Sequence, residues 1–164
     1  MSWSQAEILA LATKAARGAG APAGQAQRFG QAAVQHLLRD AGPDELLHAL
    51  EALPEGEIMN APVEIDAVLA EATGDVVDIT PDVPSALFES YLLSLPFDVG
   101  RRDLGRRTAF SVNCAVPAAS NRGRRLDASA QLVARLHRFA EATFVPETEA
   151  SRSSGAGAGL DDND

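Results

Sequence analysis

Apolar residues spaced three and four positions apart predict that the chain begins with a helical hairpin. The first helix is expected to begin at Ser4, because Ser4 and Glu7 form the S-x-x-E pattern of a capping box. The second helix is expected to have Pro22 as its first residue, where the missing N–H has no intrahelical partner anyway. Alanine and glycine recur on the facing sides of both helices, which predicts that they pack closely and antiparallel.

Helical spacing returns in several later segments. Residues 43–53 are predicted to form a third helix, since leucines recur along one side. Residues 85–95 favour a helix, with a strand as the alternative, and residues 63–72 fit a helix or a buried strand. The last helix is predicted to begin with Asp127 as its N-cap and to end before Pro146.

Alternation of apolar and polar residues predicts strands in the middle of the chain. The clearest alternation covers residues 108–116, and residues 75–80 are β-branched and bounded by turn residues. Residues 99–107 are interpreted as an arginine-rich turn. These elements predict an α+β fold in which helices at both ends pack on a small antiparallel sheet. Residues 1–148 would form one domain, and residues 149–164 an extended Gly/Ala-rich acidic tail.

Composition places the protein in the cytoplasm. The single cysteine, Cys114, can form no intrachain disulfide, and its position on the apolar face of a strand predicts a buried, inert thiol. The first residues lack the basic and apolar regions of a signal peptide, and no apolar run is long enough to span a membrane. We therefore expect a cytoplasmic protein with no membrane partner.

Charge is distributed unevenly along the chain. The formal net charge is −9, which argues against nucleic acid as a partner. Residues 1–100 carry 4 basic and 15 acidic side chains, whereas most arginines follow residue 100. One interpretation is that the arginines are scattered over the surface and solvated. Alternatively, the acidic and basic halves face each other across a subunit contact, or the arginines bind a small anionic ligand, with Arg101, Arg102, Arg106 and Arg107 as the candidate residues.

The final sixteen residues combine small residues with terminal charge. Glycines alternate with alanines and would let the backbone approach another surface closely. The candidate residues for binding a partner or a ligand are Glu149, Ser151, Arg152, Gly155, Gly157, Gly159, Asp162, Asn163 and Asp164. A solvated tail without a binding role is the alternative.

Known cofactor motifs are missing from the sequence. A phosphate-binding glycine loop must lead from a strand into a helix, and only five residues follow Gly159. The carboxylates of Asp161, Asp162 and Asp164 are suited to a hard cation, but no ligand spacing elsewhere supports one. We therefore predict no cofactor and no metal site.

Both ends of the chain resemble an uncharacterised bacterial family, a domain of unknown function. The resemblance covers roughly the first 40 and the last 25 residues, and its most specific part is the tail. The stretches that carry it are residues 6–12, 14–20, 144–146, 149–152, 155–159 and 162–164. It implies a small cytoplasmic protein encoded among metabolic genes and implies no activity. The family's pattern has a larger apolar residue where Ser153 follows Arg152, which weakens an anchoring role at that point.

Two functions are compatible with these features. The first is an accessory or binding protein of small-molecule metabolism, whose tail docks in a groove on itself, on a second copy in a homo-oligomer, or on a partner enzyme. The alternative is an enzyme acting on a small anionic metabolite, with arginines clamping the substrate and tail carboxylates serving as base. No catalytic residue can be assigned from the sequence.

Overall fold

The computed structural model of the chain describes residues 2–105, 107–121 and 123–143, and it confirms the α+β fold class. The helices of this part are α1 (Gln5–Gly18), α2 (Ala23–Leu38), α3 (Asp44–Glu51), α4 (Glu57–Ala70), α5 (Ala86–Leu93) and α6 (Ala130–Glu141). The strands are β1 (Ser2–Trp3), β2 (Val76–Ile79), β3 (Phe97–Asp103), β4 (Thr108–Pro117) and β5 (Leu126–Asp127). The predicted tail, residues 149–164, lies outside the described residues.

The helical hairpin begins as its capping signals predict. Ser4 Oγ accepts a hydrogen bond from the Glu7 backbone N–H at 3.2 Å, and Glu7 Oε2 accepts from the Ser4 backbone N–H at 2.7 Å. Pro22 precedes α2 instead of opening it, because its ψ of 157° is extended and the helix begins at Ala23. The predicted start of the second helix is therefore one residue too early.

Two glycines show how closely α1 approaches its neighbours. A Cβ atom on Gly30 of α2 would lie 2.1 Å from Thr13 Oγ1 and 2.8 Å from the Leu9 carbonyl oxygen. A Cβ atom on Gly18 would lie 1.8 Å from the Phe139 carbonyl oxygen of α6. Helix α1 thus touches α2 and α6 at distances that exclude larger side chains, which confirms the predicted close packing of the hairpin.

Two segments that fit either a helix or a strand, residues 63–72 and 85–95, lie largely in helices. Helix α4 begins at Glu57, six residues before the predicted segment, with Pro62 buried inside it. Proline in the second turn removes only the hydrogen bond that its N–H would have donated one turn back, so the helix continues through it. The segment from residue 85 is helix α5, with Ser85 as N-cap.

Two sequence interpretations are wrong. Residues 99–107 were expected to form a turn, but β3 is an edge strand that pairs antiparallel with β4 over most of its length. Its arginines tolerate an edge position because one face of this small sheet is open. Asp127 is not the N-cap of the last helix, since it pairs with Ser2 in a two-stranded sheet and Ser129 caps α6.

The main sheet has the order β2–β4–β3, with β4 in the centre. Phe110 and Val112 of β4 are 2 % and 0 % exposed and belong to the hydrophobic core. Helices α4 and α5 contact this sheet, whereas the terminal helices α1 and α6 contact each other. The packing of the terminal helices therefore differs from the expectation. Cys114 is half-buried against the core and not fully enclosed.

Candidate functional site

The arginines proposed to bind an anion do not form one cluster. Arg101 and Arg102 are consecutive on β3, so their side chains lie on opposite faces of the sheet. Arg101 pairs with Glu89 of α5, and Arg102 pairs with Asp78 of β2. Arg107 lines a small pocket beyond the end of β3, and Arg106 lies outside the described residues.

These pairs also account for the uneven charge along the chain. The arginines of the second half meet the carboxylates of the first half inside one molecule, as in Arg101–Glu89, Arg102–Asp78 and Arg135–Glu51. Charge complementarity between the two halves therefore needs no subunit contact. At exposed positions each such pair stabilises the fold by about 1 kcal/mol at most.

A largely apolar cleft lies between α1 and α6, and we call it the α1–α6 groove. It has a volume of about 480 Å³. It is lined by Trp3, Glu7, Ala10, Leu11, Lys14, His137, Ala140 and Glu141. The helical spacing of the α1 residues places them on one side of that helix, so the groove follows α1 for most of its length. Sequence reasoning missed the groove, because α1 and α6 are far apart in the sequence and no local pattern shows that they pack side by side.

Polar groups lie along the rim of the groove. Glu7 accepts hydrogen bonds from the backbone N–H and the hydroxyl of Ser4, which hold the pKa of its carboxyl below the usual range. Lys14, His137 and Glu141 complete the charged rim. The indole Nε1 of Trp3 is buried and has no hydrogen-bond acceptor among the described residues. A buried indole N–H usually has a partner, so this donor is an unsatisfied polar group beside the groove.

The described chain ends beside this groove. Ala140 and Glu141 line it, and residue 143 is the last described residue. The proposed binding residues of the tail follow this point in the sequence and lie outside the described residues. These are Glu149, Ser151, Arg152, Gly155, Gly157, Gly159, Asp162, Asn163 and Asp164.

A second polar arrangement surrounds the start of α5. Ser85 Oγ accepts from the Phe88 backbone N–H at 2.8 Å and donates to Glu57, while Glu45 accepts from the Leu87 backbone N–H at 2.8 Å. Glu45 and Glu57 lie in the first turns of α3 and α4, so three helix N-termini converge here. Burial and the nearby Glu45 carboxylate raise the pKa of Glu57. Sequence reasoning missed this cluster, because residues 40 positions apart carry no shared local pattern.

Other polar groups lie in the helical interior. His36 is fully buried and contacts Ser90 Oγ at 3.1 Å and the Gly42 carbonyl oxygen at 2.8 Å, so it joins α2 to α5 instead of lying at the surface. Tyr91 is also fully buried, and burial raises the pKa of its hydroxyl. In the described ranges, no group of three or more His, Cys, Asp or Glu side chains is arranged to hold a metal ion. None of the described helices is both long and apolar enough to cross a bilayer.

Comparison with known proteins assigns neither a family nor a function to the chain. No protein-family model matches the chain, and no curated protein and no solved structure matches it significantly. The resemblance of the two ends to an uncharacterised family therefore stays a prediction, and the function must be argued from the geometry.

Proposed function

We propose that this protein is a small accessory protein that binds an extended peptide segment in the α1–α6 groove, and that its own residues 149–164 are that segment. The observation that supports this proposal is the position of the groove. The groove is largely apolar, and it lies where the chain leaves α6. Concave, mostly apolar clefts are the usual binding sites of proteins.

The tail is long enough to reach every part of the groove. From Lys14 back to its first residue, α1 lines the groove for about 13 Å, at 1.5 Å per residue, and the groove continues past the start of the helix to Trp3, about 16 Å or slightly more in all. Gly155 is twelve residues after Thr143, and an extended chain of that length spans up to about 40 Å. The Gly155–Gly159 run can therefore lie anywhere along α1.

The chemistry of the tail fits the groove. A glycine-alanine run lets its main chain approach the helix surfaces that line the groove. Glu141 on the rim can pair with Arg152, and Lys14 can pair with the terminal carboxylates. Because these charges are exposed, we expect docking to weaken as salt concentration rises.

Entropy limits how much of the tail is ordered. Fixing one residue costs about 1–2 kcal/mol, and glycine loses more freedom than other residues. An extended segment needs only about five residues to cover 16 Å at 3.3 Å per residue. We therefore expect a short docked stretch. Its attachment to the same chain raises its effective concentration to about the millimolar range, which favours the segment of the same molecule over a second copy.

The single tryptophan provides a direct test, because Trp3 lines the groove. We expect a chain that ends at residue 148 to show red-shifted Trp3 fluorescence relative to the full chain. Adding a synthetic peptide of residues 149–164 should reverse that shift. A peptide with valine at Gly155, Gly157 and Gly159 should not, because its side chains prevent close approach.

Two matched variants locate the docking site on α1. Ala10→Arg places a long side chain in the groove and should reproduce the effect of truncation in the full chain. Ala6→Arg is the control, since Ala6 is an exposed residue of α1 that does not line the groove. Identical Trp3 emission from the full and the shortened chain would refute the proposal. A dimer that forms only with the tail present would assign the groove to the tail of a second copy.

A further inference from the structure

A second cleft lies where the end of α2, the start of α5 and strand β3 meet. Its walls include Arg39, Ser85, Glu89, Arg101 and Thr108, and its volume is about 280 Å³. It shares no lining residue with the α1–α6 groove. An inference about this cleft is therefore independent of the proposed docking of the tail.

One carboxylate serves two guanidinium groups in this cleft. Glu89 Oε2 lies 2.7 Å from Arg39 Nη2 in an ion pair and accepts a hydrogen bond from Arg101 Nη1 at 3.2 Å, and the Glu89 side chain is only 13 % exposed. No other carboxylate of the described residues lines the cleft, so one positive charge is left uncompensated. A guanidinium has five N–H donors, and each arginine contacts Glu89 through one nitrogen, which leaves donors for a ligand.

The cleft continues into the small pocket that contains Arg107. Pro84 and Thr108 belong to the walls of both spaces. In the second space Arg107 is accompanied by Asp82, so the extension adds polar walls without changing the net charge. The positive charge is therefore concentrated between Arg39 and Arg101.

The remaining walls indicate what the rest of a ligand must be. Ser85 Oγ already donates to Glu57 and accepts from the Phe88 N–H, so it contributes little to anion binding. Pro84 and Ala86 supply apolar surface beside the two arginines, with the buried Phe110 behind them. A ligand that fits this cleft combines an anionic head with a short apolar part.

We propose that this cleft binds a small organic monocarboxylate. Its carboxylate binds guanidinium donors of Arg39 and Arg101 that Glu89 does not use, and its apolar part packs against Pro84 and Ala86. A monocarboxylate neutralises the single excess charge. A phosphate dianion would instead leave a negative charge beside the largely buried Glu89, which is unfavourable.

Titration of the full chain with butyrate, hexanoate and inorganic phosphate at constant ionic strength tests this proposal. We expect that adding butyrate or hexanoate causes saturable chemical-shift changes in the backbone amides of residues 85–89 and 100–102. Arg101→Gln should weaken binding by about tenfold or more, because it removes the excess charge and half of the guanidinium pair. Glu89→Gln should tighten binding several-fold, because it frees both guanidinium groups.

Arg135→Gln is the matched control. Arg135 is also a partly exposed arginine paired with one carboxylate, Glu51, and its removal changes the net charge equally. It should leave carboxylate binding unchanged. The proposal is overturned if no shift saturates, or if Arg101→Gln and Arg135→Gln weaken binding equally. Tighter binding of phosphate than of either carboxylate would overturn the assignment of the ligand. If Glu89→Gln fails to fold, comparing carboxylate binding by Arg101→Gln and Arg135→Gln still tests the proposal.

Discussion

Helices α1 and α5 begin in the same way and for different reasons. Each starts after a serine whose hydroxyl accepts the backbone N–H of the third helical residue, Glu7 in α1 and Phe88 in α5. The carboxylate that completes the cap of α1 is its own Glu7, three residues along the chain. The carboxylates at the start of α5 come from other helices.

This difference decides the electrostatics of the two caps. Glu7 is exposed, and the hydrogen bonds from Ser4 lower the pKa of its carboxyl. Glu57 is partly buried near a second carboxylate, and the pKa of its carboxyl is raised. The local cap of α1 therefore stabilises the ionised form of Glu7. The cap of α5, where three helices converge, disfavours the ionised form of Glu57. The comparison shows that the same serine cap can lie beside a carboxylate whose pKa is lowered or beside one whose pKa is raised.

The largest change in the free energy of unfolding is expected at the C-terminal end of α1, where the helix contacts α6. Gly18→Ala places a Cβ atom 1.8 Å from the Phe139 carbonyl oxygen, and backbone on both sides must move. We expect a loss of about 3 kcal/mol in the free energy of unfolding. Urea unfolding followed by circular dichroism measures this loss.

Gly24→Ala is the control for that substitution, because nothing lies within 4 Å of a Cβ atom there and the residue is helical. It should leave stability unchanged or raise it by up to about 1 kcal/mol. Equal effects of the two substitutions would show that α1 does not depend on close contact with α6.

The two serine caps should differ in strength. Ser4→Ala removes a local cap and is expected to cost about 1 kcal/mol. Ser85→Ala removes a cap and also the hydroxyl that donates to Glu57, and we expect a cost of about 2–3 kcal/mol. Chemical unfolding of both variants at neutral pH measures the contrast. A smaller loss for Ser85→Ala than for Ser4→Ala would contradict the role given to the converging helices.

A smaller effect depends on pH at Glu57. Because the pKa of Glu57 is raised in the folded state, the folded protein holds this proton more tightly than the unfolded chain. Its ionisation therefore costs stability as pH rises from the ordinary glutamate pKa through the folded value. Glu57→Gln keeps an acceptor for Ser85, so its free energy of unfolding relative to the natural chain should increase as pH rises from the ordinary glutamate pKa towards neutral pH. A constant difference across this interval would show that burial imposes no cost there.

The smallest effect is expected at Glu7, with the opposite sign. The pKa of Glu7 is lowered in the folded state, so its contribution is present above the ordinary glutamate pKa and is lost as pH falls through the folded value. Glu7→Gln should therefore be less stable than the natural chain at neutral pH and equal to it in acid. The same urea experiments distinguish the two glutamates, and effects of the same sign would remove the distinction between the caps.

Much of the fold follows from local patterns, and its failures have identifiable causes. The capping box at Ser4 and the alternation in β4 both lead to elements that the structure confirms. Strand β3 was interpreted as a turn, because its pairing with β4 and not its own composition makes it a strand. Ser129 replaces Asp127 as N-cap, because pairing with Ser2 holds Asp127 in β5.

The candidate sites were less predictable than the elements. The sequence indicated that arginines such as Arg101 could bind an anion, but not that Arg39, 62 residues earlier, lies across Glu89 from it. Arg102, its neighbour in the chain, points to the other face of the sheet. Neighbouring residues of a strand point to opposite faces of the sheet, whereas packing of α2 and α5 against β3 brings Arg39 and Arg101 to the same carboxylate.

The sequence by itself determined where most helices and the central strand form, because caps, periodicity and turn residues act over a few neighbouring positions. Tertiary structure alone decided which polar groups meet. Packing opened an apolar groove beside α1 and placed Glu89 between two arginines. It also gathered Glu45, Glu57 and Ser85 at one helix start. The reason is physical: hydrogen bonds and charges act over a few ångströms in space, and no local pattern encodes which distant residues the core brings within that range.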